Sequence, residues 1–239
     1  MVEPTRILNG PGDPDCPICH GIGFVGYDVP IHDPRFGKSE ICVCRLNSVQ
    51  SLKQQHLFQL SNLGSLSELT FSNFMPRGRV GLGAAQANSL QQAFNSAQNF
   101  AGIQKGWLLL TGGYGSGKTH LAAAVANQAV SMGTPTIFLT VPDLLDWLRS
   151  SFSGSADSDY EERFNEIRNA VLLVMDDFGT QSSTPWAEEK LFQIINSRYI
   201  NRLPTVITSN QQLSDFEGRI HSRLLDPDLV THRFGRAHV

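Results

Sequence analysis

A chain of 239 residues with 41% hydrophobic side chains is long enough for one main α/β domain with a small appendage, and apolar enough for a sizeable core. Its net charge of −3 excludes bulk electrostatic attraction as a basis for nucleic-acid binding, so any such contact needs a local patch. No run approaches the ~20 apolar residues of a membrane span, and the opening MVEPT lacks the basic-then-apolar form of a secretory signal, so a cytoplasmic protein is expected.

All four cysteines lie in one early segment, as Cys16-Pro-Ile-Cys19 and Cys42-Val-Cys44. Such clustering in a chain without a secretory signal points to a metal site rather than a disulfide framework. Two thiolates on a CxxC turn grip one side of a tetrahedral Zn2+, and Gly21 and Gly23 let the chain fold back over it. The second pair is C-x-C, which leaves open that His20 or His32 replaces one thiolate. Four thiolates close the coordination shell, so the zinc would hold structure and the segment would present a surface to a partner. The alternative is free or redox-active thiols.

Residues 45–63 carry apolar side chains at imperfect helical spacing and end at Gly64, which predicts a helical linker. Residues 66–78 form an aromatic-bearing loop with Phe71 and Phe74, and a second helix is expected over 83–102. Arg77 and Arg79 would lie near a nucleotide if that loop packs on its side, or else be solvated.

The strongest stretch is residues 107–119, an apolar strand running into GGYGSGKT and then a helix-forming run from Lys118. Wrapping backbone amides around a triphosphate requires positive φ and close main-chain approach, which Gly112, Gly115 and Gly117 supply. Gly113, Tyr114 and Ser116 complete the loop, and they and the following His120 are expected to contribute to nucleotide binding. The helix N-terminus favours the same anion, Lys118 reaches the β- and γ-phosphates, and the Thr119 hydroxyl ligates Mg2+.

Downstream, strands are expected over 136–140, 171–177 and 204–210, with helices from Pro142 and over 160–169. The second of these strands ends in Asp176-Asp177, and it is expected to lie directly beside the P-loop strand. Asp176 would then hold Mg2+ through water while Asp177 orients the attacking water. In a parallel sheet function gathers at the carboxyl ends of strands, which places Asn210 beside the γ-phosphate. A short helix over 215–225 carries Arg219 and Arg223, either solvated or reaching a neighbour's nucleotide.

The P-loop, Asp176-Asp177, the TSN tip at 208–210 and the RIHSRL run at 219–224, in this order, resemble the AAA+ core of the DnaC/DnaI helicase loaders and IstB transposition helpers. The resemblance covers residues 66–226. It implies a parallel sheet flanked by helices, ATP and Mg2+ as cofactors, and Asp177 in place of the usual catalytic Glu. It also implies Asn210 as the sensor 1 residue, and Arg223 as the arginine finger with Arg219 second. Residues 142–169 would correspond to the family's insertion that faces single-stranded DNA, carrying Arg149, Arg163 and Arg168 here. The cysteine segment is similar to the zinc-containing, helicase-contacting domain of DnaI-type loaders.

The expected organisation is a zinc knuckle with helical linker over 1–65 and an AAA+ domain over 66–239, without a helical lid and with Arg236 as a weak sensor 2 candidate. The implied function is ATP-dependent delivery of a hexameric replicative helicase onto single-stranded DNA, with ATP-dependent self-association. An IstB-like ATPase assisting a transposase is the alternative, and a zinc adaptor with a degenerate P-loop is a third.

Overall fold

The computed structural model describes residues 12–46, 62–78, 81–152, 157–180 and 184–235. The chain divides into two compact units, Met1–His56 and Leu57–Val239. Most of the expected 45–63 linker, together with Arg79 and Arg236, lies outside the described residues.

The first unit is an antiparallel hairpin of β1 (Phe24–Gly26) and β2 (Ser39–Ile41), with Phe24 opposite Ile41 and Val25 opposite Glu40. Because side chains alternate across a strand, Val25 turns to the cysteines while Phe24 and Ile41 share the other, exposed face. The CxxC turn is built by the Cys16 carbonyl accepting from His20 N–H and the Cys19 carbonyl from Ile22 N–H.

The second unit is a three-layer α/β domain. Its elements are α1 (Ala84–Ile103), β3 (Trp107–Gly112), α2 (Lys118–Ser131), β4 (Thr136–Thr140), α3 (Val141–Phe152) and α4 (Asp157–Arg168). There follow β5 (Leu172–Asp176), α5 (Pro185–Ile200), β6 (Thr205–Ser209), α6 (Gly218–Leu224) and β7 (Val230–Gly235). The five strands pair in parallel in the order β4-β5-β6-β3-β7. Near-continuous apolar runs suit strands covered on both faces. Trp107 and Leu109 point into a core with residues of α3, α4, α5 and α6, whereas Leu108 and Leu110 join α1 and α2 on the opposite face.

This order corrects one expectation. The Asp176 strand does not lie beside the P-loop strand: β6 intervenes between β5 and β3. The pairing of distant segments is a long-range property that local periodicity does not carry, and the consequence is that β6 sits between the two halves of the site.

Two elements of this unit were not anticipated, nor was the β1–β2 hairpin of the first. Helix α5 starts at a Thr184 cap whose hydroxyl accepts from Ala187 N–H, with proline in the first turn, and this signal was readable in the sequence. Strand β7 is short and mixed in polarity, and its pairing with β3 over six residues is what makes it a strand. Among the described residues no helix is long and apolar enough to cross a membrane.

Candidate nucleotide and metal sites

The first site is built where β3 empties into α2. Gly115 and Gly117 adopt φ of 71° and 84°, left-handed values that favour glycine. A Cβ on Gly117 would lie 2.9 Å from the Phe74 ring, so the 66–78 loop closes on the phosphate-binding turn. That loop is pinned to α2: His120 Nε2 lies 2.9 Å from the Thr70 carbonyl and 3.1 Å from Asn73 Oδ1, and Asn127 donates to the carbonyls of Leu66 and Leu69. His120 therefore serves the loop. Arg77 is exposed on it, and Tyr114 stands 77% exposed at the tip of the P-loop.

Lys118 is 7% exposed, and its Nζ donates to the Gly113 carbonyl at 2.9 Å and to Ser116 Oγ at 3.4 Å. Burial holds its ammonium below the ordinary lysine range, while the charges of Asp177 and Asp176 act in the opposite direction. One residue on, the Thr119 hydroxyl lies 3.0 and 3.1 Å from the two Asp176 carboxylate oxygens. A hydroxyl facing a carboxylate beside an anion cradle is the oxygen donor set that a magnesium ion takes with a triphosphate, so these residues fit Mg2+.

Asp176 is 3% exposed. Burial pushes its carboxyl above the usual range and the Asp177 charge adds to this, against hydrogen bonds from Thr208 and Thr119 and the charge of Lys118. Asp177 leaves the strand with φ of 55°, a left-handed conformation uncommon for a residue with a Cβ and concentrated at functional sites. Asn210 follows β6, and its Oδ1 is a buried acceptor without a hydrogen-bond partner among the described residues, suited to a ligand or ordered water at the strand tips.

Arg223 is placed differently. Its Nε and Nη2 donate to Asn196 Oδ1 at 3.0 and 2.6 Å, its Nη1 donates to the Arg219 carbonyl, and its guanidinium lies 4.9 Å from the Phe192 ring centroid. Arg219 pairs with Glu217 at 2.8 Å and Glu189 at 3.4 Å. The hydrogen bonds of both arginines run to α5, α6 and the α6 cap, and none runs to the P-loop of the same chain.

Thr208 was not singled out as a site residue, although its hydroxyl touches both members of the acidic pair. The signal lies in register across β6, which only the pairing reveals. Arg198 was also missed. It is fully buried on α5 and donates to Thr205 Oγ1 and to the carbonyls of Arg168, Ala170 and Pro204, which ties α5 to the starts of β5 and β6.

The second site is the cysteine cluster. The four Sγ atoms of Cys16, Cys19, Cys42 and Cys44 lie within 4.8 Å of one another, with Cys16–Cys42 at 3.7 Å and Cys19–Cys44 at 3.4 Å. A tetrahedral zinc with bonds of ~2.3 Å needs sulfur–sulfur edges of about 3.8 Å, so the cluster fits zinc. His20 and His32 are exposed and are not part of this cluster of four thiols. For Cys19 desolvation raises the thiol, but bonds with Gly23, Cys44, Gly21 and Cys42 outweigh it and bring it down to about 7.

The glycine cradle, buried lysine and hydroxyl–carboxylate pair together define a P-loop nucleotide site at the strand tips of a parallel five-stranded sheet. A family model described as "IstB-like ATP binding protein" matches residues 86–235. The chain belongs to this IstB-like ATP-binding family. It is 26% identical over 178 residues to the replicative helicase loader DnaC of Escherichia coli strain K12, covering 74% of this chain and 70% of DnaC. It is 31% identical over 118 residues to the replicative helicase loader DnaI of Bacillus subtilis, covering 49% of this chain and 37% of DnaI. The crystal structure of the DnaC helicase loader superposes with a TM-score of 0.57 at 23% identity, covering 70% of this chain and 96% of that one.

Proposed function

We propose that this protein hydrolyses ATP and uses it to deliver a hexameric replicative helicase onto single-stranded DNA. The observation that carries the ATP chemistry is the meeting of Lys118, Thr119, Asp176 and Asp177 around one phosphate-binding turn. Mg2+, when bound, supplies charge neutralisation on the phosphates and a fixed geometry for the attacking water. The residues of this chain do the rest. The 112–117 turn receives the phosphates, Lys118 neutralises them, and Thr119 and Asp176 hold the metal. Asp177 and the Asn210 Oδ1 orient the water, and Arg223 approaches the γ-phosphate of a neighbouring copy after leaving Asn196.

The relatives reported above are named as loaders, and this favours delivery of a helicase over assistance to a transposase. The N-terminal unit would be the grip. Its four thiols would hold one zinc, and Ile22, Phe24, Ile41 and Val43 are exposed on it, an apolar surface of the kind that binds a protein partner.

Turnover and nucleotide binding measured on two variants test the ATP site. Lys118→Ala is expected to abolish ATP binding, whereas Asp177→Asn keeps binding and slows turnover, because it loses the water-orienting charge alone. Equal loss of binding in both variants would show these roles to be misassigned.

A further inference from the structure

We propose that Thr208 is the positioning residue of the acidic pair, with one hydroxyl setting both Asp176 and Asp177 and linking them to the strand that carries Asn210. The inference rests on the ATP-hydrolysis reading for its purpose, but its geometry stands on the protein alone. Strand β6 lies between the P-loop strand and the Asp176 strand, so Thr208 pairs with Leu110 on one side and faces Asp176 on the other. Its Oγ1 donates to Asp176 Oδ1 at 2.5 Å and accepts from the Asp177 N–H at 3.0 Å. Its carbonyl accepts from Phe178 N–H at 2.8 Å.

A hydroxyl has a single hydrogen, and here it is committed to Asp176. The N–H of Asp177 can only donate, so it needs the lone pair. The two bonds thus fix each other's direction. They aim Asp176 at the Thr119 hydroxyl and pin the left-handed turn at Asp177, whose φ is 55°. The contact continues as a zipper: Ser209 Oγ donates to the Phe178 carbonyl and Gln211 Nε2 to the Gly179 carbonyl, both at 2.6 Å. Residues 208–211 and 177–179 therefore move as one piece, and a displacement at Asn210 reaches both acids. Thr208 is fully buried, so valine matches its shape while lacking both donor and acceptor, and serine keeps both.

The test compares Thr208→Val and Thr208→Ser in the full chain, reading the affinity of a fluorescent ATP analogue with and without Mg2+, turnover, and thermal unfolding. For Thr208→Val the Mg2+-dependent gain in affinity and kcat should each fall about 10- to 100-fold, with Mg2+-free affinity within ~2-fold and Thr208→Ser within ~3-fold of wild type throughout. A folded Thr208→Val with wild-type Mg2+ dependence and turnover would overturn the proposal. So would Thr208→Ser as impaired as Thr208→Val, since the effect would then trace to the lost methyl. If the valine variant does not fold, hydrogen exchange on the wild-type protein decides: a slow Asp177 amide supports the Thr208 bond, and a fast one overturns it. A wild-type protein without turnover would count against the ATPase reading alone, because Mg2+-dependent binding still reads Thr208.

Discussion

Replacing Arg198 by methionine removes a buried guanidinium while keeping a flexible stem of similar reach, and the structure lets the cost be worked. Arg198 is fully buried, and burial brings its guanidinium down to about 9, still charged at neutral pH. Of its acceptors, Thr205 Oγ1 keeps a bond to the Leu203 carbonyl and Pro204 O keeps one from Leu173 N–H. The carbonyls of Ala170 and Arg168, at 2.8 and 3.2 Å, lose their guanidinium donor. Two orphaned carbonyls cost about 2–6 kcal/mol, and removing a desolvated charge gives back part of that. The net expectation is a loss of about 3 kcal/mol, or ~6–12 °C in Tm for a domain of this size. Urea and thermal unfolding of the full chain measure it, followed by a nucleotide-site fluorophore. Arg198→Lys should recover little, because one ammonium cannot span acceptors on both strand starts. A loss below ~1 kcal/mol for methionine, or full recovery by lysine, would refute the reasoning. The residue matters for function because it sets where β5 and β6 begin, and so the register on which Asp176 meets Thr208.

Three further outcomes follow from the site geometry. Metal analysis should find about one zinc per chain, and chelation should unfold the N-terminal unit while leaving nucleotide binding intact, since among its described residues the buried core is the cysteines themselves. Asp176, with its carboxyl raised by burial, binds a proton in the folded state at a pH where the unfolded chain does not. Stability therefore rises as pH falls through the folded value towards the unfolded one, and Asp176→Asn should raise the apo Tm at pH 7 while abolishing Mg2+-dependent nucleotide affinity. An Arg223→Ala chain should bind ATP normally alone and recover part of the turnover when mixed with Lys118→Ala, since one interface then pairs an intact P-loop with an intact finger. No recovery at any mixing ratio in a stable assembly would place the finger elsewhere.

The phosphate cradle was legible because its chemistry is local. Glycines at 112, 115 and 117, followed by Lys118 and Thr119, are required by backbone approach to an anion, and the fold adopts positive φ at each of those glycines. The four cysteines were legible as a cluster for the same reason, whereas the position of His20 and His32 outside that cluster needed three-dimensional placement. What periodicity could not give was strand order. Asp176 and Asn210 are readable as strand tips from sequence, but the interposition of β6, and with it the hydrogen bonds of Thr208 to both acids, arises from pairing across more than thirty residues of chain. Strand β7 escaped for a related reason: Val230–Gly235 earns its conformation from β3 rather than from its own pattern.

The measurement that bears most directly on the proposed function is transfer of a replicative helicase from the same genome onto circular single-stranded DNA by the full chain. The wild-type chain should capture the helicase, and helicase should accumulate on the DNA in ATP but not with Lys118→Ala. Failure to bind the helicase, alongside capture of a transposase encoded beside it, would contradict the loader reading and leave the ATP chemistry standing.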